Sequence, residues 1–331
     1  MSRAREVRAR ACCRVDLAGG TLDIWPLGLL HPGAATVNVA IDLEAEVGIR
    51  EQKEGYRLRF GDQEMDFDLP EQVVADERTR LIGLVVSELG LPPAEIRVES
   101  GSPRGAGLGG SSALTIALIA AVERYLGHQD STAEKRSALA RDLEARLMQL
   151  PTGRQDHYPA LLGGALEIRH QPGGERVRQL EADLVEFGKS LIVAYSGVTH
   201  FSAQNNWDVI RSRLDGDPGM VELFDGIAEI AAAMSAALEA GDLSKVGRFM
   251  TQEWSFRRRL APAVSTPLIE NLLDAGIDNG AWGGKACGAG GGGCIVLLCP
   301  ASKADTVKEA LTDLGARLLD TRPSSLPVSV G

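Results

Sequence analysis

The sequence predicts an α+β protein in two parts, and three observations carry that expectation. The first hundred residues alternate apolar and polar side chains in strand fashion. Two stretches with helical spacing follow a glycine run in the middle of the chain. Two short apolar runs, 191–195 and 294–299, then bracket further helical pattern in the second half. A length of 331 residues suits two domains at roughly 150 residues each. The expected division falls near the first of those runs, with 1–190 on one side and 191–331 on the other.

The elements follow in order. After an arginine-rich start, MSRAREVRARACC, Val15 and Leu17 alternate and mark a frayed terminus entering a strand. Val37, Val39 and Ile41 mark a second strand, and alternation continues over 46–50 and 56–60. A helix over 79–89 is closed by Gly90, with Pro92 and Pro93 beyond it. Ile96 and Val98 mark another strand, and a helix over 111–125 comes after the first glycine run. Ser131 with Glu134 three residues later predicts a capping box that opens a helix reaching about Leu150. Its Leu139, Leu143 and Leu147 form the buried stripe. Pro151 and Gly153 break it, and 165–168 is a short strand. Beyond 195 the pattern reads as three helices, a glycine-rich loop, the 294–299 strand and a last helix over 303–314. The tail, 322–331, is expected to be loosely held.

Charge and cysteine content narrow the function classes. Acidic residues outnumber basic ones 45 to 35, a net charge of −10, which argues against nucleic acid or an anionic membrane as the main partner. The most apolar stretch, 113–122, is about half of the ~20 residues needed to cross a bilayer. Five cysteines form no CxxC pair and their number is odd, so reduced thiols in the cytoplasm are expected in place of a disulfide framework or a zinc site.

Glycine accounts for 38 of the 331 residues, and much of the excess lies in two runs. The first, PRGAGLGGSSA over 103–113, stands between a predicted strand and a predicted helix. Glycines let successive N–H groups converge on phosphate oxygens, and the start of a helix adds unpaired N–H groups and partial positive charge. Gly105, Gly107 and Gly110 fit GxGxxG, as do Gly288, Gly290 and Gly293, but a glycine-dense stretch satisfies that pattern by chance. The acidic residue at the right distance for a dinucleotide site, Asp130, follows no buried strand. The chain has neither the Gly-Lys-Ser/Thr of a P-loop nor the GxSxG of a hydrolase elbow.

The run PRGAGLGGSSA resembles the ATP-binding motif of the GHMP small-molecule kinases. Two further motifs stand in the family's order: RVDLAGGTLD over 14–23 resembles its first, and KACGAGGGGC over 285–294 its third. Together they span most of the chain. The first motif, with GRQDHY over 153–158 and YSGVTH over 195–200 followed by Ser202, is most similar to the heptose kinase and fucokinase branch. Thr-Leu-Asp here replaces that branch's Gly-Thr-Asp. The resemblance implies the two-domain GHMP kinase fold, with a ribosomal-protein-like N-terminal domain, a ferredoxin-like C-terminal domain and the active site in the cleft between them.

It also implies roles. Pro103, Arg104, Gly105, Ala106, Gly107, Leu108, Gly109, Gly110, Ser111 and Ser112 would bind ATP. Ser112, with Ser111 second, and Glu144 would ligate Mg2+. Asp156 would act as base and Arg14 would stabilise developing negative charge. Gly20, Thr21, Asp23, His157 and Gly290 would line the acceptor site. Plainer readings stand beside these: a solvated helix charge for Glu144, a turn residue for Asp156 or Asp23, a surface cation for Arg14. His200 and Arg257, Arg258 and Arg259 are weaker candidates for a phosphate on the acceptor, and the arginine triplet is expected on a solvated helix face. Trp254 and Trp282 are expected in the core or an interface in preference to a sugar-stacking role. The activity implied is transfer of the γ-phosphoryl group of ATP to a hydroxyl, anomeric on this reading, of a heptose, heptose phosphate or related sugar. The rivals are a kinase for a non-sugar alcohol and a silent sugar sensor, with a dehydrogenase further behind. The partner expected is a small-molecule sugar or sugar phosphate, with no nucleic acid and no membrane; a homodimer stays open.

Overall fold

The computed structural model describes residues 6–128, 131–199 and 203–331. Its strands in chain order are β1 (Glu6–Ala18), β2 (Ala35–Glu51), β3 (Tyr56–Phe60), β4 (Gln63–Phe67), β5 (Ala94–Ser100), β6 (Ala165–Gln171), β7 (Gly174–Gln179), β8 (Leu191–Tyr195), β9 (Gly283–Ala286), β10 (Cys294–Leu298), β11 (Arg317–Leu319) and β12 (Ser329–Val330). The helices are α1 (Leu27–Leu30), α2 (Pro70–Ala75), α3 (Arg80–Leu89), α4 (Gly110–Leu126), α5 (Ala133–Met148), α6 (His157–Leu162), α7 (Leu184–Ser190), α8 (Ala203–Leu214), α9 (Pro218–Glu239), α10 (Leu243–Arg257), α11 (Pro267–Asp278) and α12 (Ala304–Asp313).

Two sheets organise the chain. The first runs β12-β1-β2-β5-β3-β4, with β6 also pairing with β2 and β7 with β6; the second is antiparallel, β11-β8-β10-β9. The first draws on strands between 6 and 179 and on β12, and the second on strands between 191 and 319. Along β1 the outer end alternates exposed and buried, whereas 11–18 is buried on both faces because α4 and α6 as well as α9 and α10 pack against this strand. Arg14 and Asp16 therefore lie inside the protein, two residues apart on one side of the strand.

Three expectations need correction. The tail is docked, not loose: β12 pairs with β1, and the Ser324 N–H donates to the Ala40 carbonyl at 2.8 Å. Four helices, α8 to α11, stand between β8 and β9 among the described residues, where three were expected. The cap of α5 is Thr132, whose hydroxyl accepts from the Lys135 N–H at 3.3 Å, one residue beyond the expected Ser131. Of the predicted stripe on α5, Leu143 is buried and Leu139 and Leu147 are half-buried against the same core.

The segment between β1 and β2 has a small core of its own. Leu22, Ile24 and Leu27 pack with Val209, Ile210, Phe224 and Ile227, which seats the first motif's turn on α8 and α9. The five cysteines are buried and unpaired. Among the described residues no helix is long and apolar enough to cross a membrane.

Candidate active site

The first glycine run crosses from β5 to α4, and its close neighbours explain its composition. Gly107 has φ +75°, and a Cβ there would stand 2.5 Å from the Cys287 carbonyl oxygen. Gly288, at φ +64°, would set one 2.7 Å from the Gly107 Cα. The first glycine run and the third motif thus interlock backbone against backbone, and the Cys294 N–H donates to the Ala106 carbonyl at 2.8 Å. Side chains cannot fit where two main chains meet this closely. Arg104, Gly105 and Ser111 are exposed on the rim, while Ser112 turns inward on the first turn of α4.

Arg14 and Asp156 meet beside that loop. The Arg14 Nε donates to Asp156 Oδ1 at 2.8 Å and Nη2 lies 2.6 Å from the same oxygen, while Nη1 donates to the Gly107 carbonyl at 2.5 Å. Arg14 is only 2% exposed, so the surface-cation reading fails. Asp156 directly precedes α6 and makes no capping bond to it, and a Cβ on Gly109 would touch its side chain at 3.2–3.4 Å. Burial raises its pKa above the ordinary aspartate value, and Asp23 pushes the same way against the pull of the Arg14 charge.

Behind Arg14 lies a charged cluster the sequence did not signal. Lys285 Nζ is 2.8 Å from both Asp16 Oδ2 and Glu253 Oε2, and all three side chains are fully buried. Arg257 lies 3.5 Å from Glu253 and 4.0 Å from Asp16, and its Nη2 donates to the Gly288 carbonyl at 2.6 Å. Asp16 Oδ1 accepts from the Gly288 N–H at 3.0 Å and stands 3.8 Å from Arg14 Nη1. Burial alone would raise the Asp16 pKa, but the charges of Lys285, Arg14 and Arg257 outweigh it and hold the carboxyl well below its ordinary range. The cluster joins β1, α10 and the third motif. Arg257 is thereby removed from the solvated face expected of the triplet, whereas Arg258 pairs with Glu270 and Arg259 is exposed. Trp254 belongs to the core under the second sheet and Trp282 packs against the main core.

Glu144 is buried, not solvated. It accepts from Thr115 Oγ1 at 3.0 Å and lies 3.0 Å from His157 Nε2. Burial opposes the charged form of each partner, but their mutual attraction prevails: the Glu144 pKa is lowered and that of His157 raised. His157 was expected to line the acceptor site. It is wholly buried behind Glu144, its second ring nitrogen 3.5 Å from Ser137 Oγ, and so holds the glutamate instead. A buried carboxylate near an inward serine hydroxyl at the head of α4 is a hard-oxygen donor set of the kind magnesium takes alongside phosphate oxygens.

The first motif's turn completes the site. Gly20 leaves room for Arg257, whose Nη1 would be 2.1 Å from a Cβ there. Thr21 holds φ +76°, a strained conformation for a β-branched residue and a sign of a turn fixed by its surroundings. Asp23 Oδ2 accepts from the Gln155 N–H at 3.1 Å, and its Oδ1 is buried with no hydrogen-bond partner. Gly290, also expected at the acceptor, is buried against Val264, whose carbonyl oxygen would be 2.1 Å from a Cβ. A side chain at this position of the third loop would meet the Val264 main chain. His200 and Ser202 lie outside the described residues.

Sequence comparison bears on the same regions. The family description "GHMP kinases N terminal domain" matches residues 78–164 and "GHMP kinases C terminal" matches 234–317. Mevalonate kinase of Methanothermobacter thermautotrophicus is 31% identical over 222 residues, covering 65% of this chain and 67% of that one. The chain belongs to the GHMP kinase family. Another relative, the D-glycero-alpha-D-manno-heptose 7-phosphate kinase of Campylobacter jejuni, is 26% identical over 63% of this chain and 62% of its own length. This GHMP kinase therefore spans about two thirds of the length of these two curated relatives. A solved D-glycero-D-manno-heptose 1-phosphate kinase from Bacteroides thetaiotaomicron superposes with a TM-score of 0.79 over 98% of both chains at 22% identity, a likeness of fold.

Proposed function

We propose that this GHMP kinase transfers the γ-phosphoryl group of ATP to a hydroxyl of a sugar, with magnesium required. The observation that carries the reading is the contact of the Arg14–Asp156 pair with the glycine loop at Gly107 and Gly109. A base and a cation held against a phosphate-binding loop suit the positioning and charge stabilisation that phosphoryl transfer needs. The acceptor hydroxyl oxygen bonds to the γ-phosphorus as the bond to the ADP oxygen breaks, and its proton passes to Asp156. Arg14 orients that carboxylate and offsets negative charge as it develops. Ser112 and Glu144 would hold magnesium, which neutralises phosphate charge when bound. In the same reading 1–190 carries the nucleotide end, 191–331 closes the cleft with the third motif, and the protein works in the cytoplasm.

A second reading has one observation in its favour: the 31% identical relative is a mevalonate kinase, so a non-sugar alcohol is the alternative acceptor. ATP consumption with magnesium, measured across free and phosphorylated hexoses and heptoses, mevalonate and homoserine, separates the two. Turnover on a sugar that Asp156→Ala abolishes supports the proposal. Turnover on mevalonate or homoserine alone replaces it, and ATP bound without turnover on any compound points to a sensor.

A further inference from the structure

A cavity of about 290 Å³ opens beside Asp23, and its lining includes Trp25, Arg141, Arg154, His170 and Glu175. That volume is near the lower end for small-molecule sites, about 300 Å³, and is of monosaccharide scale. Arg154 lies next to Gln155, whose N–H holds Asp23, and two residues before Asp156, so the cavity adjoins the proposed base.

Its charges are already balanced. Arg154 Nη1 donates to Glu175, and Arg141 donates to Asp142 at 2.6 and 2.9 Å. Burial lowers the His170 pKa to about 4, so at neutral pH the ring carries no charge. Among the described residues lining the cavity, each arginine thus has a carboxylate partner, and Asp23 adds a further carboxylate. A phosphate dianion entering here would face Asp23 and Glu175 with no unpaired cation to receive it.

Its polar atoms nevertheless lack partners. Asp23 Oδ1, Arg154 Nε and His170 Nε2 are buried with no hydrogen bond: an acceptor, a donor, and a ring nitrogen that can serve as either. Buried groups of this kind are costly to leave unmet. Trp25 is 68% exposed and Leu29 43% exposed, an unusual amount of apolar surface at a cavity mouth. Hydroxyl-bearing edges and an apolar C–H face are what a sugar presents to such a lining.

We propose that this cavity is the acceptor pocket and that it selects an unphosphorylated sugar, with hydroxyls meeting Asp23, Arg154 and His170 and the C–H face on Trp25. The proposal rests on the kinase reading for the fate of that sugar. It separates this chain from the Campylobacter jejuni relative, which is named for a heptose phosphate.

Titration calorimetry on the full chain without ATP tests it, using mannose, galactose, fucose and D-glycero-D-manno-heptose, each against its own phosphate. At least one free sugar should bind tenfold or more tightly than its phosphate. Trp25→Ala should weaken that binding at least tenfold while the affinity for ATP stays within twofold. Glu175→Gln releases Arg154 and should shift the preference tenfold or more toward the phosphate. A phosphate bound more tightly than its parent sugar by the unaltered chain, no binding by any of the free sugars, or binding indifferent to both substitutions would overturn the proposal. Sugar binding without ATP turnover would leave the pocket standing and sink the kinase reading; turnover on a sugar phosphate alone would do the reverse.

Discussion

Arg14 and Asp156 are 142 positions apart in the chain, yet two of the arginine's nitrogens, Nε and Nη2, converge on one carboxylate oxygen, Oδ1. Oδ2 is left on the side of Gly109, 3.4 Å from where a Cβ would stand. One oxygen is fixed by the cation while the other faces the glycine loop, which suits a carboxylate that takes a proton from a hydroxyl aimed at the phosphate.

Asp156→Asn should therefore lower kcat by about 10²–10⁴-fold, the usual range for a general base, with little change in the KM for ATP. Steady-state kinetics on the accepted alcohol check this, and a kcat within fivefold of the unaltered enzyme would remove Asp156 from the role. Since burial raises the pKa of Asp156, the acid limb of its kcat profile should lie above the ordinary aspartate range. Activity falls as pH drops through that pKa, because the protonated carboxyl cannot accept a proton.

Lys285 neutralises two carboxylates at once, Asp16 and Glu253, at 2.8 Å from each. Lys285→Met leaves buried negative charge uncompensated, and urea unfolding should show a loss of about 3–5 kcal/mol. Adding Glu253→Gln removes one of the stranded charges and should recover a good part of that loss. Equal stability of the single and double variants would show that the cluster does not act through charge balance.

These two pairs differ in how far the sequence revealed them. Arg14, Asp156 and the glycine runs sit in motifs whose composition has a local reason, so each could be located from its neighbours. Lys285 and Asp16 are 269 positions apart, and nothing in a single sequence says that two opposite charges will be buried together. The available hint was a lone charge in an apolar stretch: Asp16 between Val15 and Leu17, and Lys285 before Ala286 and Cys287. Arg257 was hidden by its exposed neighbours in the triplet. The docked tail is held by backbone bonds, which leave little mark on composition.

Gly107 is constrained twice, by its positive φ and by the Cys287 carbonyl. In Gly107→Ala the left-handed conformation costs about 1–3 kcal/mol, and the new Cβ must push the third motif away. The expected result is at least a tenfold weaker affinity for ATP, read by calorimetry. Gly105→Ala, on the exposed rim, carries the same kind of backbone strain at φ +66°, so an equal loss of affinity in the two variants would assign the effect to strain and not to the Cys287 contact.

The buried Glu144–His157 pair gives stability a definite pH window. The folded pKa of His157 is raised, so its contribution is complete below the unfolded histidine value and disappears as pH rises through the folded one. The folded pKa of Glu144 is lowered, so its contribution is present above the unfolded glutamate value and fades as pH falls through the folded one. The pair is therefore strongest between those limits. His157→Gln should flatten the alkaline side of a plot of unfolding free energy against pH while acid unfolding remains. An unchanged alkaline slope would mean that His157 is neutral in the folded protein.

The tail connects stability to the site through α6. Val328 N–H donates to the Leu161 carbonyl at 3.1 Å, Gly164 N–H to the Ser324 carbonyl at 2.7 Å, and Arg8 and Gly331 exchange both of their backbone bonds. At about 1 kcal/mol net for each bond, ending the chain after Thr321 should cost about 3 kcal/mol or more. Because Leu161 lies on the helix that Asp156 leads into, the truncation should also lower kcat at a temperature where the shortened chain is still folded. Loss of stability with kcat unchanged would mean that β1 and Arg14, rather than the tail, hold α6 in place.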